Sequence, residues 1–370
     1  MTTTPTAPPS VDDATDAMVE RIFNATLGAL DLLSIHLGWR LGLYHALHDA
    51  GPCTAGELAD RAGIDPRYAR EWLEQQAVTG FLEVVTTDDD EGTDAAEDRR
   101  YVVPAAHVEI FCEPESLAHV APFAPMIAGI GGTLAEVVEA YRTGSGVPYT
   151  RYGTDFRDGQ GGINRPAFVN ELAGWLAAIE SVDERLRSGP PARVADVGCG
   201  QGYSTIAIAA AYPDADVTGL DNDESSVIDA RSRAADAGVN VQFEVSDAAS
   251  LARSGPFDLI CIFEALHDMA APVAALEAAC GALAPGGHVL VMDERVADRF
   301  TAPGDEVERM MYGWSVVHCL PASRCEHPSA ALGTALRSDT VLALAAEAGL
   351  SHAEILLIDN DFFRFYLMRP

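Results

Sequence analysis

The chain has 370 residues, 48% of them apolar and 22% charged, which is ordinary globular material and enough for two domains. Its 24 basic residues, all arginine, face 56 acidic ones, for a formal charge of −32. A field of that sign repels nucleic acid and anionic membrane, and no apolar run approaches the 18 residues of a bilayer-spanning segment.

Residues 1–15, rich in Thr and Pro, lack the basic start and apolar stretch of a signal peptide and are expected to form a disordered tail. Seven cysteines, an odd number without a Cys-x-x-Cys pair, fit a reducing compartment, so a cytoplasmic location is expected. From Asp16 to about Leu37 the pattern is helical, but Met18, Val19, Ile22, Phe23, Leu27, Leu30, Leu32, Leu33, Ile35 and Leu37 cover more than one face. A helix that apolar needs cover on several sides, and a homodimer is the expectation. Helices follow at 41–49, at 54–62 with Thr54 and Glu57 as a capping box, and at 66–79 behind Asp65-Pro66. With strands at 81–85 and 101–103, residues 16–105 read as a helix-turn-helix with a two-stranded wing. The helix that would enter a DNA groove carries Arg67 and Arg70 beside Glu71 and Glu74, and the wing tip holds Asp88, Asp89, Asp90, Glu91, Asp94, Glu97 and Asp98. Phosphate would be repelled there, which favours dimerisation and covering over DNA binding. Residues 106–187 read as a mainly helical linker lining a pocket, with Tyr149, Tyr152 and Phe156 as candidates for ligand contact or for packing.

The most informative segment is Val194-Ala195-Asp196-Val197-Gly198-Cys199-Gly200-Gln201-Gly202, an apolar strand running into three glycines and then into a helical stretch at 203–211. Glycines let a ligand approach the main chain where a helix start offers free N–H groups. The third glycine comes one residue too early for a dinucleotide fingerprint, whereas Asp221, ending a second strand, has the spacing of a ribose-binding carboxylate. Further strands are expected at 241–245, ending in Ser246-Asp247-Ala248, at 257–263, ending at Glu264, and at 286–293. A terminal hairpin is expected at 354–358 and 362–368.

On Asp-x-Gly-x-Gly-x-Gly at 196–202, Asp221, the Ser-Asp-Ala step, Leu266-His267-Asp268 after the fourth strand and Leu283-Ala284-Pro285-Gly286-Gly287 before the fifth, residues 188–370 resemble a class I S-adenosylmethionine-dependent methyltransferase. With the N-terminal region, the chain is similar to bacterial methyltransferases carrying a winged-helix domain, laid out like small-molecule O-methyltransferases. The resemblance implies an α/β fold: a Rossmann-like seven-stranded sheet with an antiparallel final strand, preceded by an all-helical, winged-helix N-terminal domain. It also implies a homodimer and S-adenosylmethionine as cofactor, with S-adenosylhomocysteine as product. Gly198 and Gly200 would pass under the methionine moiety, and Asp196 would fix the loop or meet the ammonium group. Asp221 would accept from the ribose, Asn222 would flank the adenine, Asp247 and Ala248 would face its edge, and Phe263 would offer backbone to the amino-acid part.

Methyl transfer is an in-line displacement, so the protein has to position, desolvate and deprotonate. His267, at the carboxyl edge of the sheet, is the candidate general base, a role the resemblance also implies; capping the next helix is the alternative. The chain departs from the plant-type pattern at Phe263 and Met269, where lysine and tryptophan are usual, which leaves the substrate class open. Residues 305–327 are expected to form a lid, with Met311, Trp314 and His318 as substrate candidates or, equally, packing residues. His318, Cys319, Cys325 and His327 lack a usual zinc spacing, and no metal is expected. The leading expectation is a methyltransferase acting at oxygen on a small, possibly aromatic molecule. The alternatives are a transcription regulator that binds S-adenosylmethionine, and an enzyme of the same fold that uses the sulfonium only as electrostatic support.

Overall fold

A computed structural model describes residues 10–85 and 96–370, in two compact units, residues 1–128 and 129–370. The expected linker at 106–187 is therefore divided between them, and five of the wing-tip acids, from Asp88 to Asp94, lie outside the described residues.

In the first unit, α1 (Val11–Arg40) starts five residues ahead of the sequence expectation, because Ser10 and Asp13 form a capping box there. Ile35 and Gly38 are its only buried residues, and Ile22 and Phe23 are each 62% exposed. Then come α2 (Leu43–Ala50), α3 (Ala55–Ala62), whose capping box is Thr54 with Glu57, and α4 (Pro66–Val78), capped by Asp65 with proline in its first turn. The short strands β1 (Glu83–Val85) and β2 (Arg100–Val102) pair antiparallel as the wing. Leu43, Tyr44, Leu47, Leu58, Leu73 and Tyr101 are fully buried between these elements, so periodicity of the apolar positions sets this core.

The second unit is built on a seven-stranded sheet: β3 (Arg193–Val197), β4 (Asp216–Asp221), β5 (Gln242–Val245), β6 (Phe257–Phe263), β7 (Leu283–Glu294), β8 (His352–Ile355) and β9 (Phe363–Arg369). The order is β5-β4-β3-β6-β7-β9-β8, with the first five parallel and β9 antiparallel to both its neighbours. Side chains alternate across β6: Leu259, Cys261 and Phe263 pack on one face with Leu176 and Ile208, while Ile260 and Ile262 pack on the other with Leu276 and Val341. Such two-sided burial is what a near-continuous apolar strand encodes. The chain order reverses at β3, which has β4 on one side and β6 on the other, so their carboxyl ends open a crevice of the kind where such sheets hold ligands.

The helix Phe123–Thr143, which runs across the division between the two units, is long and apolar enough, by length and composition, to cross a bilayer. It nevertheless carries Glu136, ion-paired with Arg151 at 2.6 Å, and buries Ile130, Thr133, Val137 and Ala140 against protein.

Candidate active site

The crevice is a cavity of about 600 Å³ walled by the ends of β3, β4, β5 and β6 and by the helix Gly153–Asn170, a size that suits a nucleoside-type ligand plus a small second molecule. At its floor the chain leaves β3 through Gly198 at φ +75° and Gly200 at φ +50°. A Cβ on Gly198 would lie 2.6 Å from that of Ala265, while one on Gly200 would meet nothing within 4 Å. The first glycine is thus required by packing and backbone, the second by backbone alone, which leaves open space over the main chain.

Asp221 organises the turn. Its Oδ2 accepts the Gly200 N–H at 2.8 Å and its Oδ1 accepts the Asp223 N–H at 2.8 Å. A carboxylate has about four acceptor sites, so lone pairs remain for ribose hydroxyls. Burial raises the Asp221 pKa, opposed by those amide hydrogen bonds. Asn222, Asp247, Ala248 and Phe263 also line the cavity, as do Gly198 and Gly200. Asp196 does not: it is buried, and its Oδ2 accepts the Ser204 and Thr205 hydroxyls, each at 2.6 Å. Burial pushes its pKa up to about 6 against the pull of these hydroxyls. Both hydroxyls belong to the first turn of the helix Tyr203–Ala211 that follows the glycine loop.

His267 is buried behind the wall and is not a lining residue; its neighbour Asp268 is. Its Nδ1 lies 2.8 Å from Asp293 Oδ1 and 3.5 Å from Glu294 Oε2, and its Nε2 lies 3.5 Å from Asp268 Oδ1. Since an ionised carboxylate only accepts, Nδ1 carries the proton in the Asp293 contact, and Nε2 faces Asp268 and the cavity side. Burial alone would depress the imidazole, but Asp293, Glu294 and Asp268 carry its pKa well above the ordinary value. Burial also opposes ionisation of Asp293, yet the adjoining His267 holds its pKa below the usual range. The three carboxylates therefore favour the protonated ring over the neutral one, the opposite of what burial alone would do.

Among the substrate candidates, Tyr149 lines the cavity, with its hydroxyl donating to Gln160 Oε1 at 2.8 Å. Tyr152, Met311, Trp314 and His318 are not lining residues. His318 lies instead in an aromatic layer, with its ring 4.1 Å from Phe156 and 4.5 Å from Tyr152, and burial lowers its pKa to about 4. It sits in a π-helical turn, Ser315–Cys319, where the Tyr152 hydroxyl donates to the Val317 carbonyl. Of the 305–327 segment, Ala322, Ser323, Cys325 and Glu326 line the cavity, while His318 adjoins the lining residue Tyr149, with ring centroids 5.8 Å apart.

Sequence reasoning missed Glu264, Asn164, Arg157 and Asp293. The first three line the cavity, and Arg157 Nε pairs with Asp223 Oδ2 at 3.1 Å. Acidic residues ending apolar strands were the available signal for Glu264 and Asp293; nothing local marks Arg157 or Asn164.

Residues 189–359 match the family described as methyltransferase domain, and residues 28–111 match the Rv2258c-like winged helix-turn-helix domain. A trans-aconitate 2-methyltransferase of Methylobacterium nodulans is 33% identical over 154 residues, 38% of this chain and 57% of that one. A ubiquinone biosynthesis O-methyltransferase of Bordetella avium is 34% identical over 113 residues, 30% of this chain and 46% of that one. The chain spans about half the length of these curated relatives. The solved mitomycin 7-O-methyltransferase MmcR is similar over 97% of this chain and 99% of that one, with TM-score 0.69 and 20% identity. Human N-acetylserotonin methyltransferase, solved in complex with SAM, is similar over 95% of this chain and 97% of that one, with TM-score 0.67 and 16% identity. These two likenesses establish the fold. Residues 189–359 thus carry a methyltransferase domain, by the family model that matches them, and residues 28–111 a winged helix-turn-helix domain of the Rv2258c-like type.

Proposed function

We propose that the protein binds S-adenosylmethionine and transfers its methyl group to oxygen of a small acceptor molecule, leaving S-adenosylhomocysteine. The observation that carries this is the open main chain at Gly200, tied by its N–H to a carboxylate, Asp221, that retains acceptor sites inside a cavity of about 600 Å³. The residues present fit the cofactor: Asp221 would accept from the ribose hydroxyls, Asn222, Asp247 and Ala248 would adjoin the adenine, and Gly198, Gly200 and the Phe263 backbone would border the methionine part. The cofactor supplies an electrophilic methyl on a sulfonium. The chain supplies a place for the acceptor's proton: it passes Asp268, at the wall, to His267 Nε2, while Asp293 fixes the ring through Nδ1. His267 accepts that proton in its neutral form, the form that the neighbouring carboxylates disfavour.

The exposed apolar length of α1, from Met18 to Leu37, supports a homodimer. All seven cysteines are free, in keeping with a cytoplasmic location. Arg67 on α4 is engaged by Glu71, so the regulator reading gains no support from that helix. Incubation with S-adenosylmethionine labelled in the methyl group, against a panel of small hydroxylated aromatics, tests the function. Label recovered on an acceptor oxygen is expected; acceptor hydroxylated or decarboxylated without label would replace this reading with the electrostatic-support one.

A further inference from the structure

Glu264 ends β6 in a backbone conformation that glutamate avoids, at φ +49°. A non-glycine residue is held in the left-handed region only when its surroundings enforce it, and such residues concentrate at ligand sites. Enforcement comes from its N–H, which donates to the Met292 carbonyl at 2.8 Å, and from Ala265 beside it, packed on Gly198. Glu264 lines the cavity; the Asn164 side chain hydrogen-bonds its carboxyl, yet Oε2 is buried with no hydrogen-bond partner, a costly arrangement for a polar atom.

Charge balance narrows what could satisfy it. The cavity wall carries Asp221, Asp223, Asp247, Glu264, Asp268 and Glu326 against a single arginine, Arg157, which Asp223 already engages. In the proposed function Asp221 and Asp247 serve the nucleoside and Asp268 faces His267. Glu264 lies in the same electrostatic group as His267, Asp268 and Asp293, on the side from which an acceptor must deliver its proton.

We propose, resting on that function, that Glu264 is a specificity-determining carboxylate whose Oε2 accepts from a protonated nitrogen of the methyl acceptor, which makes the acceptor class a hydroxylated amine. Burial pushes the Glu264 carboxyl up to about 7, opposed by His267, so a bound cation would hold it ionised. A cationic nitrogen could also come from the cofactor's own ammonium group, and a positive charge from its sulfonium, so the test must separate these sources.

The experiment is calorimetry on the full-length protein, pretreated with EDTA and saturated with S-adenosylhomocysteine. The probes are matched cationic and neutral phenols: tyramine against 4-ethylphenol, and dopamine against 4-methylcatechol. The wild type is expected to bind the cationic member of at least one pair about tenfold or more tightly. Glu264→Gln is expected to abolish that preference while S-adenosylmethionine and S-adenosylhomocysteine affinities stay unchanged. Glu264→Asn, better suited to positive φ, is the second variant, and retained S-adenosylhomocysteine binding certifies that either variant is folded. Equal binding or none within every pair, a preference surviving in the variants, or loss of affinity for either cofactor form would overturn the proposal. Failure of the wild type to bind S-adenosylhomocysteine at all would instead overturn the underlying function.

Discussion

His267 illustrates how surroundings decide what a residue can do. Three carboxylates raise its pKa although burial works the other way. As a base it must be neutral, so kcat/KM is expected to climb with pH through an apparent pKa above the ordinary 6.5 of histidine. Asp293→Asn removes the partner at 2.8 Å and its share of the upward shift, leaving Glu294 and Asp268, so that limb should move to lower pH while kcat falls. A pH profile unmoved by Asp293→Asn would contradict the coupling. His267→Ala should lower turnover by about a hundredfold or more and leave cofactor affinity intact; steady-state kinetics with undiminished turnover would return the residue to capping. The sign for stability follows from the same shift. A histidine raised in the folded state stabilises the protein below its unfolded pKa, and that contribution is lost as pH rises through the folded one.

At the scale of elements, the turn after β3 couples sheet to cofactor loop. Gly198→Ala places a Cβ at positive φ and 2.6 Å from that of Ala265. The backbone conformation alone costs about 1–2 kcal/mol, so chemical denaturation should report a loss of at least that size; unchanged stability would show that the turn relaxes freely. Much of this part of the molecule was legible in the sequence. The parallel strands, the place of Asp221 at the end of β4 and the capping box at Thr54 follow from apolar runs, glycine spacing and short-range hydrogen bonds. The start of α1 was missed because Ser10 caps it within a polar, Thr-rich segment that reads as tail. The insertion of β9 between β7 and β8, the His267–Asp293 contact across 26 residues and the positive φ of Glu264 are consequences of tertiary pairing, and no local pattern encodes them. The lid candidates illustrate a different limit. Apolar spacing marks Met311 and His318 as inward-facing, but it does not say whether a cavity or an aromatic layer receives them.

For the whole molecule, the surface of α1 is the unresolved debt of the first unit. Met18, Ile22, Phe23, Leu30 and Leu37 are all more than half exposed, an apolar area that water disfavours at roughly 25 cal/mol per Å². The proposed homodimer covers it, so the wild type should sediment at twice the chain mass and the double variant Ile22→Asp, Phe23→Asp at the chain mass. A wild type that stays monomeric at micromolar concentration would contradict it. The central claim, however, concerns the crevice at the carboxyl edge of the sheet, and titration calorimetry with S-adenosylhomocysteine addresses it most directly. The account predicts one site per chain in the wild type and, in Asp221→Ala, an affinity lower by about tenfold or more, since charge-assisted hydrogen bonds are worth roughly 1.5–3 kcal/mol each. No heat of binding in the wild type, or equal affinity in the two proteins, would contradict it.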